Sequence, residues 1–377
     1  MLLIQPKMLN IDPGLRVGLT YDLKSEHLES GASEEEVAEF EDHETIISLG
    51  QTLTQLGFRV DYIGNIFALV GRLANGHRWD FVFNIAEGVH GLARETQIPC
   101  LLDAYQIPYV FSESSTLCVS LNKAICKQIV IASAVPTADF FVVTALEDLE
   151  GCHLKFPLFL KPVAEGTGKG ISSKSKVTHR DDLWEQCSFL LKRFQQPVLI
   201  ETYLSGAEYT VGIVGTGKVA QVVGVMEVQF TDNTDHKFYS FINKKEFKKR
   251  VTYNLASKEI EKSVGNVALE AWRSLKCRDG GRIDIRLDDK GIPNFIEVNP
   301  LPGLNPEFSD LVILARLNGK SYAELLKNIV NSTLKREFPK LLSGLHDSQQ
   351  QQVGEQAPAF DLTAIRPPAD LITRGIS

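Results

Sequence analysis

Residues 281–303 carry four polar side chains whose types and spacing could hold a metal ion beside a reaction centre. The segment reads Gly-Arg-Ile-Asp-Ile-Arg-Leu-Asp-Asp-Lys-Gly-Ile-Pro-Asn-Phe-Ile-Glu-Val-Asn-Pro-Leu-Pro-Gly. Its Asp-Asp-Lys-Gly stretch is a turn signal, so we predict a β-hairpin with strands at 282–287 and 292–299. Side chains alternate between the two faces of a strand, so the polar residues share one face. They are Arg282, Asp284, Glu297 and Asn299.

The pairing of this hairpin follows from the length of its turn. A four-residue turn would place Leu287 opposite Ile292, Asp284 opposite Phe295 and Arg282 opposite Glu297. The face turned to the core would then consist of Ile283, Ile285, Leu287, Ile292, Ile296 and Val298. Carboxylate and amide oxygens suit Mg²⁺, which proteins hold through one or two carboxylates plus substrate phosphates. The alternative is an amphipathic hairpin with a solvated polar face, but the rigid Asn-Pro-Leu-Pro-Gly stretch after it favours a ligand site.

Length and composition exclude several classes of protein. The chain has 377 residues, which predicts two or three domains, and 44% hydrophobic with 23% charged residues indicates a globular protein. A net charge of −7 argues against a non-specific nucleic-acid binder. No apolar run is long enough to span a membrane, and the first residues lack the core of a signal peptide. Six cysteines without a CxxC pair and eight scattered histidines predict a cytoplasmic protein with neither disulfides nor a zinc site.

The first hundred residues alternate between strand and helix patterns. Strands are predicted at 16–20, 58–63 and 79–85, with a helix at 44–56, which favours a doubly wound parallel sheet. Ligands of such sheets lie beyond the carboxyl ends of strands, so Asn84 and the following loop, from Glu87 and Gly88 to Glu95, form a candidate substrate edge. Residues 25–42 are acid-rich; they form either a mobile cap or, as the simpler interpretation, a solvated loop or helix face.

The middle of the chain joins a helix, a glycine-rich loop and several strands. A helix over 117–134 would carry Lys123 and Lys127 on one face. The loop at 162–171, after a strand at 156–161, has glycines whose N–H groups could cradle phosphate oxygens. It does not match GxxxxGK[ST], so a glycine-rich hairpin turn is an equal alternative. A helix at 181–194 and strands at 197–201, 209–214 and 219–228 follow, the last two antiparallel.

Residues 231–250 mix basic and aromatic side chains and could be a nucleic-acid patch or a lid. In an acidic chain we favour a lid over a polyphosphate. Helices are predicted at 260–275 and 322–334. From His346 onward the chain is rich in Gln, Pro and Ala, which predicts a disordered tail.

These motifs together resemble the ATP-grasp superfamily and, within it, the D-alanine–D-alanine ligase family. The resemblance runs from about Phe81 to Leu326. It rests on Phe156-Pro-Leu-Phe-Leu-Lys-Pro with Glu165-Gly-Thr-Gly-Lys-Gly, on Val198-Leu-Ile-Glu-Thr-Tyr-Leu-Ser-Gly-Ala-Glu-Tyr-Thr-Val-Gly, and on the hairpin motif. Three ordered motifs at family-like spacing make a specific match. The resemblance implies an α/β fold with an α+β C-terminal part, in the three-domain ATP-grasp architecture. The expected segments are a substrate domain 1–116, ATP-grasp subdomains 117–205 and 206–335, and a disordered tail 336–377.

The resemblance also implies roles for residues. Lys123, Lys161 and the lid lysine Lys244 would reach the nucleotide phosphates, and Glu165, Gly166, Thr167, Gly168 and Gly170 would form the phosphate loop, with Thr167 where the family usually has serine. Glu201 and Leu204 would contact adenine and Glu208 the ribose, while Thr202 stands where lysine is common. Asp284, Glu297 and Asn299 would bind Mg²⁺, with Mn²⁺ as a substitute, and Arg282 would stabilise the tetrahedral intermediate.

Departures from the family pattern concentrate on the substrate side. Gly18-Leu-Thr-Tyr stands in place of Gly-Gly-x-Ser, and Glu87-Gly88 in place of His-Gly. Glu44 is the candidate for the glutamate that holds the first substrate's amine. Phe308 stands where the family has a serine that grips the second substrate's carboxylate, which removes a charge-assisted hydrogen bond.

We therefore expect an ATP-dependent carboxylate–amine ligase with an altered substrate pocket, acting through an acyl phosphate on small amino acids or other acids. The expected partners are ATP and these substrates, without nucleic acid or membrane, and the resemblance implies a homodimer through the first two domains. A non-catalytic nucleotide-binding regulator or scaffold is the alternative, and a nucleic-acid binder using 244–250 is a third.

Overall fold

The computed structural model describes residues 14–230 and 251–339, which form an α/β fold with three separate sheets. The first sheet is parallel, as predicted, with strand order β2-β1-β3. Its strands are β1 (Arg16–Thr20), β2 (Arg59–Gly64) and β3 (Phe81–Asn84). The helices of this region are α1 (Lys24–Glu29), α2 (His43–Gln55), α3 (Ile66–Ala74) and α4 (Gln97–Ala104). Strand β3 is buried at every position, as expected for a strand covered on both faces. Tyr109 adds a single parallel bridge to Val82 at the edge of this sheet.

The prediction of a single helix over 117–134 is wrong, because the helix is interrupted at Asn122. The structure has α5 (Ser114–Leu121) and α6 (Lys123–Ala132). Asn122 has an extended backbone, with φ −93° and ψ 96°, and its side chain accepts a hydrogen bond from Ile125 N at 3.1 Å. An asparagine that caps a new helix competes with continuation of the old one. The break makes Lys123 the first residue of α6.

The second sheet is antiparallel and places two predicted site residues on one face. Its strands are β4 (Phe140–Val143), β5 (Leu158–Pro162), β6 (Lys176–Val177) and β7 (Val198–Thr202), in the order β4-β7-β5-β6. Helix α7 (Arg180–Phe194) packs against alternate apolar residues such as Leu158, Leu160 and Ile200. Since strand side chains alternate, Lys161 and Glu201 project from the opposite face.

The third sheet is antiparallel, with order β10-β9-β8-β11-β12. Its strands are β8 (Glu208–Val214), β9 (Gln221–Phe230), β10 (Val251–Leu255), β11 (Gly280–Leu287) and β12 (Pro293–Asn299). Three helices complete this region: α8 (Lys258–Ser274), α9 (Asp310–Leu317) and α10 (Tyr322–Glu337). Trp272 of α8 is fully buried in the core beneath the sheet. No helix in the described ranges is long and apolar enough to cross a membrane.

The predicted hairpin exists, but its predicted pairing is wrong. Leu287 pairs with Pro293, Ile285 with Phe295 and Asp284 with Glu297. The turn is one residue longer than expected, and the register shifts again after Asp284 through a β-bulge. Consequently Phe295 lies in the core, whereas Ile296 lines a cleft with Glu297 and Ile292 is 47% exposed. The two carboxylates, Asp284 and Glu297, thereby stand directly opposite one another.

Candidate active site

A buried cluster of charged side chains lies on the second sheet. Both oxygens of Glu201 are engaged, at 2.8 Å from Lys127 Nζ and 2.8 Å from Lys161 Nζ. Lys127 also donates to Thr137 Oγ1, which in turn donates to the Phe295 carbonyl at 2.7 Å. Burial opposes ionisation of Glu201, but the two ammonium groups hold the pKa of its carboxyl at about 2. The cluster thus fixes Lys161 at the edge of a narrow cleft.

Glu201→Gln is expected to lower the free energy of unfolding at pH 7 by about 3–5 kcal/mol, because two ammonium groups would be left buried without their carboxylate. A pKa held near 2 in the fold means that this carboxylate stabilises the protein above its ordinary pKa of about 4.3. The stabilisation is lost as the pH falls towards 2. Urea unfolding at pH 7 and pH 3 should therefore show a smaller difference between wild type and variant at pH 3.

The matched control for this variant is Glu185→Gln on α7, whose carboxylate pairs with Lys174 at 2.9 Å but is 70% exposed. An exposed ion pair contributes less than about 1 kcal/mol, so this variant should remain close to wild type. Equal losses for the two variants would contradict the importance of the buried cluster.

The glycine-rich loop meets the first residue of α6. Lys123 Nζ lies 2.5 Å from the Glu165 carbonyl oxygen and 3.5 Å from Glu297 Oε2. The Glu165 carboxylate accepts a hydrogen bond from Gln196 Nε2 at 2.7 Å. Thr167, Gly168 and Gly170 have positive φ values of 47°, 72° and 77°, so the loop turns through left-handed conformations. Lys123 therefore connects the loop with the hairpin of the third sheet.

A cleft of about 100 Å³ runs between this loop and the two antiparallel sheets. Most residues predicted for nucleotide binding line it, and they are Lys123, Lys161, Glu165, Gly168, Glu201, Leu204 and Glu208. At one end Arg286 Nη1 lies 3.3 Å from Glu208 Oε2, and burial raises the pKa of the Glu208 carboxyl. Gly166 and Thr167 line the neighbouring larger cavity instead, and Lys244 lies outside the described residues.

The polar face of the hairpin presents the oxygen groups predicted to bind metal. Asp284 Oδ1 accepts a hydrogen bond from Thr210 Oγ1 at 2.8 Å, and Arg282 Nε lies 3.8 Å from Asp284 Oδ2. No group of three or more His, Cys, Asp or Glu side chains suited to a metal occurs in ranges 14–230 and 251–339. Two facing carboxylates and an amide nevertheless fit Mg²⁺, whose remaining ligands come from phosphates and water.

A cavity of about 410 Å³ adjoins the cleft, and Lys123, Glu165 and Glu297 line both. Part of the acid-rich segment 25–42 closes this cavity, so the interpretation as a merely solvated face does not hold there. Glu39 Oε2 lies 2.9 Å from Arg94 Nη2 and 3.4 Å from Lys169 Nζ. Burial opposes ionisation, but these cations hold the pKa of the Glu39 carboxyl below its ordinary value. A side chain on Gly166 would meet the Glu39 carboxylate, so a larger residue there would force that carboxylate to move.

Three further carboxylates face the same cavity: Glu41, Glu87 and Glu95. Glu41 accepts a hydrogen bond from Leu304 N at 3.4 Å, and burial raises the pKa of its carboxyl. Burial raises the pKa of Glu95 to about 7, and burial together with the neighbouring Glu95 and Glu39 carboxylates raises that of Glu87 well above its ordinary value. The substrate side of the cavity therefore holds buried carboxyl groups whose ionisation is opposed by burial.

Glu44 and Phe308, the two candidates on the substrate side, differ in their position relative to the cavity. Glu44 is exposed on the first turn of α2 and is not among the residues that line the cavity. Phe308 lines the cavity but is 44% exposed. Two residues later, Asp310 begins α9, and its carboxylate forms an ion pair with Arg282.

Comparisons with known proteins show which family the chain resembles. Residues 132–331 match the family model described as D-ala D-ala ligase C-terminus. A D-alanine–D-alanine ligase of Bordetella petrii is 30% identical over 258 residues, which cover 67% of this chain and 76% of the relative. An uncharacterised protein of Sinorhizobium fredii is 27% identical over 265 residues, covering 68% of this chain and 75% of the relative.

Solved structures show the same fold at low sequence identity. The D-alanine–D-alanine ligase of Bacillus anthracis complexed with ATP aligns with a TM-score of 0.63 and 20% identity, covering 86% of this chain and 99% of that one. The VanG D-Ala:D-Ser ligase of Enterococcus faecalis aligns with a TM-score of 0.65 and 16% identity, covering 85% and 99%. By family match, relatives and fold, this chain belongs to the D-alanine–D-alanine ligase family of ATP-grasp ligases.

Proposed function

We propose that the protein joins a carboxylate to an amine at the expense of ATP, through an acyl phosphate. The observation that carries this proposal is the meeting of two cavities at the same three side chains, Lys123, Glu165 and Glu297. The narrow cleft has the cation and carboxylate pattern suited to a nucleotide, and the larger cavity has room for small substrates. A phosphoryl group at the junction would be within reach of both.

In the first step the donor carboxylate oxygen attacks the γ-phosphorus, and the bond from that phosphorus to ADP breaks. Lys123, Lys161 and the N–H groups of the loop from Glu165 to Gly170 orient the phosphates and spread the developing charge. Asp284, Glu297 and Asn299 would hold Mg²⁺, or Mn²⁺ in its place. Bound there, the ion would neutralise charge on the phosphate oxygens.

In the second step the amine nitrogen bonds to the carbonyl carbon, the carbon–oxygen bond to phosphate breaks, and inorganic phosphate leaves with one proton taken from the nitrogen. Arg282 donates hydrogen bonds to the oxyanion that forms on the way. Thr167 in the phosphate loop, and the predicted lid that carries Lys244, would keep water from the acyl phosphate. Glu44 has no role in this proposal, because its side chain is exposed and stands outside the cavity lining.

The substrates proposed here are small amino acids or related acids, with a pocket altered from that of a D-alanine–D-alanine ligase. We propose a cytoplasmic homodimer, as the family resemblance implies, with domain boundaries near residues 116, 205 and 335. Neither nucleic acid nor membrane takes part.

The test is ADP release by the purified chain with Mg²⁺ and ATP against a panel of D- and L-amino acids and other small acids, singly and in pairs. Asp284→Ala serves as the blank. We expect release that depends on an added acid and exceeds the blank. ATP binding without release under any pair would contradict the ligase and favour a non-catalytic regulator or scaffold of the same fold.

A further inference from the structure

The arginine proposed to hold the oxyanion already has a carboxylate partner supplied by the protein. Asp310, the first residue of α9, forms an ion pair with Arg282 at the wall of the larger cavity. Both side chains are about nine-tenths buried, with 12% and 10% of their surface exposed. The Tyr253 hydroxyl donates a second hydrogen bond to Asp310 at 3.1 Å. Two donors on different elements thus fix this carboxylate beside the reaction centre.

A fixed carboxylate at this point changes what the amine substrate can carry. An acceptor amino acid would bring its own carboxylate to the neighbourhood of Arg282, only one carbon away from the attacking nitrogen. Because Asp310 already pairs with Arg282, that carboxylate would find the guanidinium occupied and would lie beside a second group of its own sign. Phe308 offers no side-chain hydrogen-bond donor that could offset this repulsion.

The rest of the cavity is also rich in carboxyl groups. Among the described residues that line it, eight carboxylates face three cations. Five of these carboxylates have an ion-pair partner: Glu34 with Lys24, Glu39 with Arg94 and Lys169, Glu165 with Lys169, Glu297 with Lys123, and Asp310 with Arg282. Glu41, Glu87 and Glu95 form no ion pair with a side chain in ranges 14–230 and 251–339, and burial raises the pKa of each carboxyl. An ammonium group bound beside these three carboxyls would allow them to ionise and form ion pairs with it, whereas a further carboxylate would find no cation there.

We propose that the amine acceptor is a cation without a free carboxylate beside its nucleophilic nitrogen, such as an alkyl diamine, and that Asp310 sets this preference. This inference rests on the proposed ligase function and names the class of its second substrate. One nitrogen of the acceptor attacks in its neutral form, while the distal ammonium is held by the acidic wall of the cavity. Asp310 disfavours an acceptor of the same chain length that carries a carboxylate beside its nucleophilic nitrogen.

The experiment separates the two halves of the reaction. The acid that serves as donor is first found by trapping its acyl phosphate with hydroxylamine, a small neutral amine that yields a hydroxamate. With that donor, kcat/KM is measured for acceptor pairs that differ only by a carboxylate: lysine against 1,5-diaminopentane, ornithine against 1,4-diaminobutane, and alanine against ethylamine. We expect each decarboxylated member to be favoured at least tenfold, and the diamines to exceed ethylamine at least tenfold.

Variants of Asp310 then test its role. Asp310→Asn and Asp310→Ser should reduce the preference for the decarboxylated member of each pair at least tenfold, while hydroxamate formation shows that the fold and the first step survive. Glu307→Gln is the matched control, because Glu307 is exposed in the same loop and does not line the cavity. Its preference ratio should equal that of wild type.

Two outcomes would overturn the acceptor assignment while leaving the ligase intact. One is a wild-type preference for the carboxylate-bearing members. The other is an equal loss for all acceptors in both Asp310 variants, which would make Asp310 only a support for Arg282. Absence of hydroxamate with every acid would instead overturn the ligase function itself, and this inference with it.

Discussion

Glu297→Gln is expected to lower the rate of ADP formation by roughly 10²–10³-fold, because it removes charge from the face proposed to bind the metal. Glu297 stands opposite Asp284 across the hairpin, so the two carboxylates form one oxygen-rich face. It is also 3.5 Å from Lys123 Nζ, so its charge holds a phosphate-directed lysine in place. Glutamine keeps the shape of the side chain but removes half of the paired negative charge that a divalent cation requires. Initial rates across a range of Mg²⁺ concentrations should show both a lower maximum and a higher Mg²⁺ requirement.

The control for Glu297 is Asp289→Asn, which removes a carboxylate from the exposed turn of the same hairpin. Its rate and Mg²⁺ requirement should match those of wild type. A Glu297→Gln enzyme with a wild-type Mg²⁺ requirement would remove this residue from the metal site, whatever its rate.

The sequence of the hairpin predicts its polar face but not the pairing of its two strands. Period-two alternation correctly put Arg282, Asp284, Glu297 and Asn299 on a common face, because that face depends only on the parity of each position. The partners across the hairpin depend on turn length and on the bulge after Asp284, and neither has a clear local signal. The predicted pairing therefore places Ile296 in the core and Phe295 on the polar face, whereas the structure has the reverse. The error leaves the polar face intact, because both polar pairs, Arg282 with Asn299 and Asp284 with Glu297, lie on the same side of the bulge.

The break at Asn122 has a different cause. The apolar spacing on both sides of it fits one helix, and only the capping side chain reveals that a second helix starts there. Asparagine has only a modest unfavourable helix propensity, so the apolar periodicity predicts a helix that continues through it. The tertiary bond from Lys123 N to the Val163 carbonyl at 3.1 Å supports the break, and no local pattern contains it.

The substrate side was the least predictable part of the site because its residues converge from distant elements. Glu39 and Arg94 are 55 positions apart, and Arg282 and Asp310 are 28 apart. The acid-rich composition of residues 25–42 hinted at a role, but a run of carboxylates does not say which one turns inward. The motif spacing of the family indicates Phe308 as the substrate-side residue. The carboxylate that pairs with Arg282 instead belongs to Asp310, in the first turn of α9.

Replacing Arg282 with glutamine is expected to separate the two steps of the reaction. Amide formation should fall about 10²–10³-fold, because a donor aimed at the oxyanion contributes most when that charge develops. Formation of the acyl phosphate precedes the oxyanion and should stay within about tenfold of wild type, since the phosphates are held by Lys123, Lys161 and the loop. Donor-dependent exchange of ¹⁸O between bridging and non-bridging positions of ATP measures the first step, and quantified amide product measures the second.

Arg282→Lys restores a charge without the planar pair of donors and should recover only part of the second step. Arg316→Gln removes an exposed guanidinium from the end of α9 and should change neither step. If Arg282→Gln lowered isotope exchange and amide formation by the same factor, the arginine would act before the acyl phosphate. Its ion pair with Asp310 would then serve the metal-binding face through Asp284, which lies 3.8 Å from Arg282 Nε. A selective loss of the second step would place Arg282 at the oxyanion.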